Sequence, residues 1–120
     1  MKIAITSRGE SLDSEMDPRF GRCQYFIILD DGDVQNFKAI KNDAAMSGGG
    51  AGIQAAQNIA QHQPDAVLTG NCGPKAFKVL QAAGVEVAVG VKGKVKDAVQ
   101  GFLEGKYQPV KEANVEGHWV

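Results

Sequence analysis

The chain has 120 residues, of which 43% are hydrophobic and 22% charged, the size and composition of one globular domain. Its formal net charge of −1 provides no basic surface for duplex nucleic acid or an anionic membrane. The N-terminus has no signal-peptide pattern, and no apolar run reaches the roughly 20 residues that cross a bilayer. We therefore expect a cytoplasmic protein whose two cysteines, Cys23 and Cys72, are reduced.

The first forty residues predict a meander of three antiparallel strands. Lys2–Thr6 alternates as a short buried strand and is followed by a long polar loop over Ser7–Gly21. Gln24–Leu29 is a continuous apolar run that suits a central strand. Asp30–Asp33 carries a hairpin turn signal, and the weaker alternation of Val34–Ile40 suits a returning edge strand.

The second half of the chain alternates helices and strands in the order αβαβα. The predicted elements are a helix after the glycine-rich loop Ser47–Gly52, a strand over Ala66–Thr69, a helix from Pro74 to Gly84, a strand over Val85–Val89, and a helix from Val95 to Gly105. This pattern requires parallel strands with right-handed crossovers. The chain is therefore expected to form a five-stranded mixed sheet with helices on its faces, spanning residues 1–105. Residues 106–120 are interpreted as a C-terminal tail that either packs on the domain or stays mobile.

Two glycine-rich loops, Ser47–Gly52 and Gly70–Gly73, precede predicted helices. Ligands of open α/β sheets bind at the carboxyl ends of the strands, where helix N-termini favour anions. The first loop lacks the lysine and Ser/Thr of a P-loop and does not fit the dinucleotide fingerprint. The two loops are consistent either with an anion site or with simple tight turns.

Four side chains near these loops are candidate ligand contacts. Cys72 lies between a strand and a helix N-terminus, a position expected to lower the thiol pKa and favour the thiolate that binds soft metals. Cys23 lies where the long loop enters the second strand, and for both cysteines a small buried side chain is the alternative. Arg19 and Arg22 on the long loop would add positive charge to the site or form surface salt bridges.

Three segments resemble motifs of one family. Leu12–Phe26 contains the pattern "D…RFGR…YF" that is characteristic of the dinitrogenase iron–molybdenum cofactor-biosynthesis family, which includes NifX/NifY-like, NifB C-terminal-like and orange-protein-like domains. Gly48–Ala56 and Leu68–Phe77 are similar to the second and third motifs of that family. The resemblance runs in order from Met1 to about Gly105.

The resemblance implies a ribonuclease-H-like α/β fold and a non-catalytic role. That role is to bind or carry an anionic metal–sulfur cluster, molybdenum–iron–sulfur or another heterometal type, as a scaffold or carrier working with cofactor-assembly proteins. With the loop chemistry above, it predicts cluster contacts at Ser47, Gly48, Gly49, Gly50, Gly52, Gly70, Asn71, Gly73, Arg19 and Arg22, and metal ligation by Cys72 and, as the weaker candidate, Cys23.

Three other functions remain to be compared with this prediction. A nuclease of the same fold would need clustered carboxylates, and the first strand carries no acidic residue. A nucleotide- or phosphate-binding regulatory module would use the same helix N-termini and stays open as the alternative. An adaptor that docks partner proteins through the tail also stays open.

Overall fold

The computed structural model describes residues 1–46 and 48–114. Six strands form one sheet and three α-helices pack on it. The strands are β1 (Ile3–Ser7), β2 (Tyr25–Leu29), β3 (Phe37–Lys41), β4 (Ala66–Leu68), β5 (Glu86–Ala88) and β6 (Pro109–Val110). The helices are α1 (Ala51–Ala60), α2 (Pro74–Ala82) and α3 (Val95–Leu103). Short 3₁₀ helices over Asp30–Gly32 and Asp43–Met46 complete the regular structure.

The sheet is mixed, with strand order β3-β2-β1-β4-β5-β6. The first three strands pair antiparallel, which confirms the predicted meander with β3 at an edge. Strands β1, β4 and β5 are parallel neighbours, as the αβαβα pattern predicts. The predicted total of five strands was wrong. The sixth strand, β6, comes from the segment interpreted as a tail and pairs antiparallel with β5.

Period-two alternation in the strands divides the core between the two faces of the sheet. On β1, Ala4 faces α1 and α2 together with Phe26 and Ile28 of β2. Ile3 and Ile5 point to the opposite face, where they pack with the α3 residues Val95, Ala98 and Val99. Each helix buries one apolar stripe, so the sheet is covered on both sides.

The predicted hairpin between β2 and β3 differs in detail from the structure. Asp30–Gly32 forms a 3₁₀ turn in which Asp31 has a positive φ of 55°. A further turn follows, and β3 begins at Phe37 rather than at the predicted Val34. The Gln35 N–H donates to Asp33 Oδ1 at 2.9 Å, and this local hydrogen bond favours a turn over an extended strand here.

One edge of the sheet collects the carboxyl ends of β1, β3, β4 and β5, because these strands run in the same direction. The loops that leave this edge lead into α1, α2 and α3. We call it the loop edge. Among the described residues, no helix combines the length and apolarity needed to span a bilayer.

Candidate functional site

The long segment between β1 and β2, residues 8–24, is folded against the loop edge and is called the cover loop. Its backbone is anchored on one side, where the Met16 N–H donates to Gly93 O at 2.9 Å and the Val95 N–H donates to Ser14 O at 2.9 Å. At its centre the Asp17 N–H donates to Thr6 O at 3.1 Å. The cover loop is therefore an ordered part of the domain, fixed by backbone hydrogen bonds.

Asp17 holds Arg19 in a defined position on the cover loop. The Arg19 backbone N–H and Nε donate to Asp17 Oδ1 at 2.9 and 3.2 Å, and Nη2 donates to Oδ2 at 3.3 Å. The Asp17 side chain is 2% exposed and that of Arg19 54% exposed. The hydrogen bonds and the charge of Asp17 raise the pKa of the Arg19 guanidinium. Arg19 thus forms the predicted salt bridge and still presents half of its surface at the loop edge.

The cover loop also contacts the second glycine loop and the 3₁₀ helix that precedes the first. The Asn71 N–H donates to Pro18 O at 2.7 Å, and the Phe20 N–H donates to Asn71 O at 3.2 Å. Two residues later, Arg22 Nη1 donates to Ala45 O at 2.9 Å, within the 3₁₀ helix that precedes α1. Residues 18–22 therefore connect the segment after β4 with the segment after β3.

Gly70 is required for this packing. A Cβ atom at Gly70 would lie 2.7 Å from both Cα and Cβ of Pro18, a separation that only a backbone shift would relieve. The buried Gly70 therefore lets the cover loop approach β4 closely. This close approach accounts for the glycine without requiring a ligand at the same point.

The glycines before α1, unlike Gly70, are not needed for close packing. Gly48, Gly49 and Gly50 are exposed, and a Cβ at any of them would meet no atom within 4 Å. Gly50 is the N-cap of α1 in the left-handed conformation, with φ 70°, and as a glycine it has no side chain of its own to cap this helix end. Gly52 is buried inside the first turn of α1. The predicted contact Ser47 lies outside the described residues.

Cys72 does not have the ionisation state that its position suggested. The residue is fully buried, and its thiol donates to Gly73 O at 3.7 Å. Burial raises the pKa of the Cys72 thiol to about 12. The expectation of a lowered pKa was wrong because the loss of hydration outweighs the favourable field of the α2 N-terminus.

Cys23 is also fully buried. Its thiol donates to Phe20 O at 3.3 Å, and Asn42 Nδ2 lies 3.6 Å from Sγ. Burial and, secondarily, the charge of Asp17 raise the pKa of Cys23. In residues 1–46 and 48–114, no group of three or more His, Cys, Asp or Glu side chains is placed to hold a metal ion.

Asn114 is a contact that the sequence did not reveal. Its Oδ1 accepts a hydrogen bond from the Cys72 N–H at 2.8 Å, while Nδ2 donates to Gly70 O at 3.2 Å and to Asn71 Oδ1 at 3.1 Å. A single asparagine in a polar segment, 42 residues from Cys72, gives no sequence signal of this contact. The segment expected to be a tail thus reaches the third motif.

A surface cavity of about 350 Å³ lies beside the 3₁₀ helix that precedes α1. It is lined by Gln24, Tyr25, Lys41, Asn42, Ala45 and Met46. None of these residues was predicted as a ligand contact. The cavity does adjoin Ala45, whose carbonyl accepts the hydrogen bond from Arg22.

Similarity to known proteins covers almost the whole chain. The model of the family described as "Dinitrogenase iron-molybdenum cofactor" matches residues 1–105. An uncharacterised protein of Methanocaldococcus jannaschii is 33% identical over 110 residues, which are 90% of each chain.

Two solved structures extend the comparison. The apo form of the orange protein from Desulfovibrio gigas has a TM-score of 0.90 and 40% identity, covering 95% of this chain and 96% of the other. A Thermotoga protein provisionally named as a NifB protein has a TM-score of 0.81 and 33% identity, covering 97% and 98%. The three motifs, their meeting at the loop edge and these matches lead to one conclusion: the chain belongs to the dinitrogenase iron–molybdenum cofactor family.

Proposed function

We propose that this protein binds an anionic metal–sulfur cluster, without catalysing a reaction, and carries it to or from cofactor-assembly proteins. The observation that supports the proposal most strongly is the arrangement of the three family motifs. The cover-loop segment 18–22 binds Asn71 on one side and Ala45 on the other. Asn71 belongs to the third motif, whereas Ala45 lies just before the second motif, whose helix α1 packs against α2. The segments that carry the three motifs therefore lie close together at the loop edge.

The chemistry of this surface suits a bulky anion. The N-cap of α1 is a glycine, and Gly48–Gly50 are open to solvent, so the backbone dipoles of this helix end favour negative charge. Arg19 and Arg22 supply positive charge and charge-assisted hydrogen bonds. We propose the glycine-rich N-terminal end of α1 as the first contact of the cargo, with Gly70–Gly73 and the thiol of Cys72 joining after local rearrangement. Cys23, enclosed by Phe20 and Asn42, is the weaker candidate ligand.

The binding unit proposed here is residues 1–105, in a fold of ribonuclease-H-like type. The antiparallel meander β3-β2-β1 continued by parallel β4 and β5 supports that fold proposal. The strand β1 carries no carboxylate, which favours carriage of a cluster over nuclease chemistry.

An anaerobic titration with tetrathiomolybdate, alone and with copper or iron, tests the proposal. We expect charge-transfer bands and metal to stay with the protein at a fixed ratio after desalting. Arg19→Gln should retain less cargo, whereas Lys38→Gln, which removes a charge near the amino end of β3, away from the loop edge, should match the wild type. Cys72→Ser should change the bands if the thiol is a ligand. Loss of both colour and metal from the wild type would overturn the proposal and make phosphate and nucleotides the next ligands to test.

A further inference from the structure

We propose that the segment 106–114 is a gate over the third motif and that hydrogen bonds from Asn114 hold this gate closed. In the closed state the Asn114 carboxamide occupies the Cys72 N–H at the start of α2. The Cys72 thiol is buried in the core cluster on which the neighbouring Ala113 packs, so neither group is available to a ligand. Opening of the segment would free both together. The inference rests on the proposed function only for the chemical class of the ligand, an anionic metal–sulfur cluster.

The hydrogen bonds of the Asn114 side chain are suited to holding the gate closed. One carboxamide bonds three groups, the Cys72 N–H, Gly70 O and Asn71 Oδ1, and so ties together the whole turn after β4. Asn114 itself is on the surface, and it can leave without unfolding the domain because its backbone lies outside the sheet.

The same turn is clamped a second time, by the cover loop, through Pro18 O and the Phe20 N–H. That clamp consists of backbone hydrogen bonds and continues into further bonds with Gly93 and Val95. The clamp of the tail consists of side-chain bonds from one residue and the two-residue strand β6. Segments with few buried contacts open at the lowest free energy, so the tail is the side that opens.

Nearby packing makes the movement a hinged one. Tyr107 packs on the α3 face, where its ring lies 3.0 Å from the position of a Cβ on Gly101. Val110 and Ala113, which are partly buried like Tyr107, pack on the opposite face of the sheet. Tyr107 can therefore stay in place while residues 109–114 lift from β5 and from the third motif.

The rate at which Cys72 is alkylated reports this opening without any ligand, since the thiol is fully buried when the gate is closed. We would treat the native protein with N-ethylmaleimide and quantify the two cysteine-containing tryptic peptides by mass spectrometry. Losing hydrogen bonds worth about 1.4 kcal/mol shifts the equilibrium between the closed and the open gate tenfold towards the open state. Cys72 should therefore be labelled roughly tenfold faster in Asn114→Ala than in the wild type. Cys23, whose thiol hydrogen-bonds with Phe20 and Asn42, serves as the internal reference.

Gln108→Ala is the matched control, because it removes a carboxamide from the same segment whose Nε2 donates only to Gly105 O, at 2.8 Å. It should label Cys72 at the wild-type rate. An unchanged Cys72 rate in Asn114→Ala would overturn the gate. Equal acceleration of Cys23 and Cys72 would also overturn it, because global unfolding would then explain the labelling.

Tetrathiomolybdate binding separates the gate from the identity of the cargo. With the gate removed, Asn114→Ala should bind this anion with a lower apparent Kd, since the competent state is more populated. Faster labelling of Cys72 with no anion binding by either protein would support the gate and refute the cargo. Anion binding by both proteins with an unchanged labelling rate would support the cargo and refute the gate.

Discussion

The Cys72 thiol is enclosed at the start of α2, with the Gly73 carbonyl as its hydrogen-bond acceptor. A thiolate in this position would lose its hydration, so burial keeps the proton on sulfur and raises the pKa to about 12. A metal must displace that proton before Cys72 can bind it, which makes ligation pH-dependent. A role for this thiol is therefore coupled to exposure of the residue.

The raised pKa predicts a specific loss of stability in alkali. The folded state holds the Cys72 proton more tightly than the unfolded chain, whose thiol has an ordinary pKa near 9.0. This contribution to stability is complete below that ordinary value and is lost as the pH rises towards the folded pKa of about 12. Urea midpoints measured over this range should fall more steeply for the wild type than for Cys72→Ala. Lysines and tyrosines titrate in both proteins, so only the difference between the two slopes reports the Cys72 thiol. Equal slopes would contradict the prediction.

At the scale of elements, the cover loop determines the shape of the candidate site. It is fixed to β1 through Asp17 and Thr6, to the third motif through Pro18 and Phe20, and to the segment before α1 through Arg22. The Thr6 hydroxyl donates to Asp17 O at 2.6 Å and lies 3.1 Å from the Thr69 hydroxyl. The buried hydroxyl groups beneath the cover loop are therefore paired. The long loop is therefore a wall of the site.

Gly70→Ala tests whether the cover loop depends on close approach to β4. The added methyl would meet Pro18 at 2.7 Å, so the loop must move. We expect a loss of about 1–3 kcal/mol in the free energy of unfolding, the usual cost of overpacking. Gly48→Ala is the matched control because a Cβ there meets nothing within 4 Å. It should change the stability by less than about 0.5 kcal/mol. Equal effects in urea unfolding would contradict the prediction.

At the scale of the whole molecule, the sheet combines an antiparallel half and a parallel half around β1. Helices α1 and α2 cover one face and α3 the other. The C-terminal segment adds contacts to both, through Tyr107 on the α3 face and Val110 on the opposite face. It is therefore part of the folded unit, although the family model ends at residue 105.

Truncation after Gly105 tests this contribution. Residues 1–105 contain both core clusters apart from the partly buried Tyr107, Val110 and Ala113, so the shortened chain should fold with an unchanged far-ultraviolet spectrum. Its free energy of unfolding should fall by roughly 2–3 kcal/mol, because half-burial of Tyr107 and Val110 is lost. A wild-type urea midpoint for the truncated chain would show that the C-terminal segment contributes nothing to stability.

The sequence by itself determined the order of the first five strands and the three α-helices, and most of their limits. Period-two alternation located β1, and the paired signals of Pro74 and Gly84 located α2 from its first residue to the glycine after its end, which has φ 78°. The apolar stripe beginning at Val95 located α3. These signals are local, because each depends on residues within a few positions of one another. The family motifs were likewise readable, because they are continuous segments.

Only the tertiary structure decided how the site is closed. The contacts of Gly70 with Pro18 and of Cys72 with Asn114 join residues that are far apart in sequence. The pairing of β6 depends on the free edge of β5, since Pro109–Val110 has no strand pattern of its own. The ionisation of Cys72 depends on how completely its neighbours exclude water. Burial and long-range pairing arise when the whole chain folds, and no local pattern of residues encodes them.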